Sequence, residues 1–122
     1  MTRARAADRD ALMAAMLPRP RAAAPRVEQL DLAGFFARFD AAAPLHLRLG
    51  WAATVVTLGA VWPRLLGHAG SFASLDDDAR EAALTRAAGV AALAPLLDVL
   101  KIVTSLAYFS DARAEAAFRS AP

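Results

Sequence analysis

The sequence predicts an all-α protein, a small bundle of about five or six helices with an extended N-terminal arm. Three observations predict it. Alanine supplies 33 of the 122 residues and the apolar fraction is 57%; alanine has the highest helix propensity, and so apolar a composition excludes intrinsic disorder. Apolar side chains recur at the 3.6-residue period in segment after segment, and no run alternates as a strand between turns. Prolines, glycines and capping residues fall between those segments. A chain of this length is one domain and buries roughly two-thirds of its unfolded surface.

Thr2 to Leu17 reads as a first helix, with Leu12, Met13, Met16 and Leu17 in an i, i+4 double row. Pro18 and Pro20 stop it, and residues 18–30 form an extended linker with three prolines. Residues 1–26 carry six arginines against Asp8 and Asp10, a net +4, whereas the rest of the chain is net −2. Such an arm can touch phosphate or an anionic membrane, but the plain reading is a solvated helix and linker. The chain therefore divides at 30/31 into an arm and a helical domain.

Asp31 caps a second helix over about 32–43. Its Leu32, Phe35, Phe36, Phe39 and Ala43 share one face, which makes it core-facing. Pro44 opens a third helix, about 45–66, that runs uncharged from Leu49 to Pro63. Fifteen residues fall short of the roughly 20 that span a bilayer, so burial in protein is the expectation. Pro63 is expected to kink or end this helix, and Gly67 to close it. Ser74 or Asp76 caps a fourth helix, about 76–88, whose first-turn acids complement the helix dipole rather than bind metal. Gly89 closes it. Val90 to Phe109 forms a fifth helix, with Pro95 at its start or at a kink. Its only polar stripe is Asp98, Lys101 and Ser105, and Asp98 can pair with Lys101 across one turn. A helix apolar around most of its girth is central and buried. A short helix at 112–119 follows.

The chemistry inventory is mostly negative. Cysteine is absent, which removes disulfides, thiolate metal sites and cysteine nucleophiles together. His46 and His68 stand 22 residues apart without helical pairing and read as surface residues. The six glycines form neither a dinucleotide fingerprint nor a phosphate loop, and no serine sits in a nucleophile elbow. The arginines are spread singly, which is a poor pattern for nucleic acid. Two helices apolar nearly all round are more than so small a domain can hide. The large residues Trp51, Val55, Val56 and Trp62 therefore suggest cover by another chain or by lipid.

Two stretches of the C-terminal half carry a resemblance. Phe72-Ala-Ser-Leu-Asp-Asp-Asp-Ala-Arg80-Glu-Ala-Ala-Leu84 opens a helix. Leu96-Leu-Asp-Val-Leu100-Lys101-Ile-Val-Thr-Ser-Leu106-Ala107-Tyr108-Phe109-Ser110-Asp111 closes on Tyr-aromatic-Ser-Asp. Together they resemble the helical segment before the FAD domain of bacterial long-chain-alcohol-oxidase-type members of the glucose–methanol–choline (GMC) oxidoreductases. They are also similar to the separate small subunits of such enzymes, the gluconate 2-dehydrogenase subunit 3 group. The resemblance covers about 45–122. It implies a non-catalytic subunit that stabilises or chaperones a large GMC flavoprotein, with FAD in that partner and no cofactor or catalytic residue on this chain.

The residues then expected at the partner interface are Trp51, Trp62, Leu100, Lys101, Tyr108 and Phe109; tryptophan and tyrosine are common anchors. Each could equally pack in the core. Exported members of the group have a twin-arginine leader. The chain shows no adjacent Arg-Arg pair, and Ala11–Leu17 is flanked by Asp10 and Pro18 rather than by leader features. The expected location is therefore cytoplasmic, with export or membrane association through a partner as the alternative. The alternative to an accessory subunit is a membrane-associated helical interaction protein held peripherally by the arginine-rich arm and the third helix.

Overall fold

The computed structural model describes residues 3–16 and 32–109. Over them the chain forms α1 (Arg3–Met16), α2 (Leu32–Ala42), α3 (Leu45–Val56), α4 (Trp62–Leu65), α5 (Asp77–Ala88) and α6 (Ala94–Phe109). A π turn, Thr57–Val61, joins α3 to α4, and 3₁₀ turns at Phe72–Ser74 and Ala91–Leu93 precede α5 and α6. The all-α bundle expected from composition and period is the observed one. The capping reading at Asp31, the linker at 18–30 and the helix at 112–119 lie outside the described residues.

The first helix is not an arm. Leu12 and Met13 are wholly enclosed, and α1 packs on α3, α5, α6, the π turn and the 3₁₀ turn at 72–74. Arg9 spreads over the Phe36 ring at 4.2 Å, a cation–π contact that ties α1 to α2. Residues 3–16 therefore share one core with the rest of the described residues. The double row of Leu12, Met13 and Met16 was legible. The charge-based reading of a solvated helix failed because its arginines lie along the flanks of a buried stripe.

The core gathers Leu12, Met13, Val55, Leu58, Phe72, Leu100 and Val103. Phe36 of α2 stacks on Trp51 of α3, with ring centroids 5.7 Å apart and 12° between planes. Phe35 meets Phe36 edge-on at 5.0 Å, so an aromatic row docks α2 on the bundle.

The long third helix is one rod with a defect. The Trp62 amide donates to the Thr57 carbonyl, five residues back, and so opens a π turn just ahead of Pro63. Proline has no N–H for the ladder and its ring strikes the carbonyl four residues earlier, so a widened turn accommodates it. Arg64 Nη1 donates to the Ala60 carbonyl at 2.7 Å, giving a partner to a carbonyl within the disturbed stretch. The rod ends at Gly67, whose φ of +96° favours glycine.

Asp76 caps α5, its Oδ1 accepting from the Ala79 amide at 2.8 Å, and Asp77 and Asp78 occupy the first turn. Asp76→Ala is expected to lower stability by about 1 kcal/mol. Asp78→Ala should cost less than half of that, since it removes only a dipole interaction. Urea unfolding of the two variants checks the order.

Candidate functional site

The six residues expected at a partner interface separate by burial. Trp51, Leu100 and Tyr108 are in the core. Trp51 is held by the Phe36 stack, and its Nε1 is buried without a hydrogen-bond partner. Trp62 is half-buried and donates from Nε1 to the Ala83 carbonyl at 2.9 Å, which fastens α4 to α5. These four serve packing in the described fold. Only Lys101 and Phe109 stand at the surface.

Around those two, α6 presents an apolar face. Leu97, Leu100, Val103, Thr104, Ala107 and Tyr108 turn inward. Ile102, Leu106 and Phe109 point outward, each half or more exposed. With Lys101 and Ser105 they line a shallow hollow on the helix surface. The offsets 102, 105, 106 and 109 place them on one side of a helix. The expectation of a central buried helix is thus met on one side only. Asp98 and Lys101 are both exposed, and no ion pair joins them. The expected pair fails because each charge reaches water from this open side, where an i, i+3 pair adds little.

A second constellation is buried and was not anticipated. Asp8 of α1 is completely enclosed. Its Oδ1 accepts from the Ala73 amide at 3.0 Å, and Arg5 Nη1 lies 3.5 Å from Oδ2 without an aligned hydrogen bond. Gly59 of the π turn lies directly against it, since a Cβ at that position would come within 2.9 Å of the Asp8 Cβ. Arg80 of α5 completes the knot: Nε donates to the Phe72 carbonyl at 3.3 Å and Nη2 to the Ala73 carbonyl at 2.7 Å.

The 3₁₀ turn is therefore held by a carboxylate on its amide side and a guanidinium on its carbonyl side. This pairs the Ala73 amide and carbonyl, which the turn does not pair itself, and adds a second donor to the Phe72 carbonyl that already accepts from the Leu75 amide. The arrangement locks α1, the π turn and α5 together, which is a structural task. One signal for it was present in the sequence: Asp8 stands one turn before Leu12 and so on the apolar face of its helix.

Among the described residues no group of three acidic or histidine side chains is placed to share a metal ion. His46 is exposed and His68 is half-buried. No protein-family description, curated protein or solved structure matches the chain.

Proposed function

We propose that the chain is a non-catalytic accessory subunit that stabilises or chaperones a large FAD-dependent GMC oxidoreductase acting on an alcohol or sugar. The outward face of α6 is the docking surface in this reading, and FAD belongs to the partner. The observation that supports it is the apolar stripe Ile102, Leu106 and Phe109 on a helix whose other side is firmly packed. A rigid apolar stripe edged by Lys101 and Ser105 has the make-up of an interface centre with a polar rim. The stripe also lies within the Leu96–Asp111 stretch that carries the sequence resemblance.

Purification of the tagged chain from its native host tests the proposal. A yellow complex is expected, its second component identified by mass spectrometry as a GMC flavoprotein, and Ile102→Glu should lose it at least tenfold. Recovery of the colourless chain alone, with the wild-type face intact, overturns the reading.

One observation favours a second reading. Residues Ala91–Phe109 are long and apolar enough to cross a membrane, and only 33% of that stretch is buried. Flotation with anionic vesicles at low salt distinguishes this membrane-associated reading, because it requires lipid binding without the flavoprotein.

A further inference from the structure

The rod from Leu45 to Leu65 carries a second apolar stripe, on the side away from its buried face. Leu45 and Leu49 are each 61% exposed, Val56 42%, Val61 46% and Leu65 72%, and Ala52 and Ala53 lie exposed between them. Within α3 the steps 45, 49, 52 and 56 keep to one side of an α-helix. The next step, 56 to 61, is five residues and crosses the π turn, which takes about one residue more per turn than an α-helix. The defect at Pro63 therefore keeps the stripe continuous along a rod of roughly 30 Å. No charge interrupts it from Leu49 to Pro63.

We propose that this face binds a second copy of the chain, rod against rod and antiparallel, about a two-fold axis at the level of residue 55. The stripe is complementary to its own reversal. The antiparallel arrangement sets Leu45 against the partner's Leu65 and Leu49 against the partner's Val61, and it brings Ala52, Ala53 and Val56 of both copies together at the crossing. Small residues at the crossing allow close approach of the two rods, and large ones fill both ends. The contact is uncharged from Leu49 to Pro63; Arg48 and the partner's Arg64 approach only at its two ends, where each is turned back to a carbonyl of its own chain, Ala43 and Ala60, and where solvent screens the like charges.

The area also suits this occupant. The exposed side chains amount to roughly 500 Å² of apolar surface, near the upper end for one patch on a lone soluble protein. Two copies bury about 1,000 Å² together, the lower bound of a specific interface. The proposal is independent of the α6 face and of any flavoprotein.

Sedimentation velocity of the full chain tests it. Twice the chain mass is expected at concentrations of about 100 µM, with dissociation towards low micromolar dilution, as befits a small interface. Leu49→Glu should restore the single-chain mass, and Ile102→Glu should leave the dimer in place. Cross-linking gives a second readout that survives a poorly folding variant, because the chain has no cysteine of its own. Val56→Cys lies beside the axis and is expected to form an intermolecular disulfide under mild oxidation. Leu65→Cys is not, since the two copies of residue 65 stand about 30 Å apart.

A single-chain mass at every concentration overturns the proposal. So does a dimer that Ile102→Glu breaks and Leu49→Glu does not, or self-cross-linking at residue 65 as fast as at residue 56. A monomer that binds anionic vesicles through Leu49 also overturns it, and assigns the stripe to a bilayer.

Discussion

Leu12→Ala is expected to lower the free energy of unfolding by about 2–5 kcal/mol. Leu12 is fully enclosed beside Met13, and α1 touches nearly every other element of the bundle. Deleting its side chain removes the transfer energy of the buried methyl and methylene groups and leaves a cavity that close-packed helices fill only in part. A loss of that size is a large share of the roughly 5–15 kcal/mol that holds a domain of this kind together. A solvated N-terminal arm would behave differently, with a change within about 0.5 kcal/mol. Urea unfolding followed by circular dichroism separates the two. Ala15→Ser, on the exposed side of the same helix, is the control and should change little.

Asp8→Ala is expected to cost about 2–3 kcal/mol, although it removes a charged residue from a helix that is rich in charge. The substitution leaves the Ala73 amide without its acceptor inside the protein, and an orphaned buried donor carries most of its desolvation penalty. Asp8→Asn should recover part of the loss, because the amide oxygen can still accept from Ala73. Arg5→Ala should cost less than Asp8→Ala, because the Ala73 amide keeps its acceptor, but it leaves the enclosed Asp8 Oδ2 without its cation 3.5 Å away. Thermal unfolding of the three variants gives the order. An Asp8→Ala protein as stable as wild type would remove the carboxylate from its place as the tie between α1 and the 3₁₀ turn.

Both expectations turn on contacts between residues far apart in the chain. Asp8 and Ala73 are 65 positions apart, and neither a period nor a cap relates them. The helix that carries Asp8 was visible as a helix, and its Leu12–Met13 face as apolar. Its net charge was visible as well and suggested solvent. Charge reports on the flanks of a helix and not on where the opposite face is buried, so the apolar face was the better guide.

The same holds for the surface. Sequence alone showed more apolar helix than a small domain can hide, but it could not say which side chains stay out. Trp51 and Tyr108, the residue types most common at interfaces, are in the core. Ile102, Leu106, Leu45 and Leu65 were not among the expected interface residues and are open.

What the residues determined by themselves is local: the all-α class, the start of α3 after Pro44, the bounds of α5 to within one residue, and the cap at Asp76. Each follows from period, propensity and capping within a few residues. Only the tertiary structure decided that α1 belongs to the core, that the turn before Pro63 widens to π with its Gly59 against Asp8, and which faces of α3 and α6 remain uncovered. Those outcomes depend on how helices cross, and crossing is set by side-chain volume summed over distant segments rather than by any local pattern.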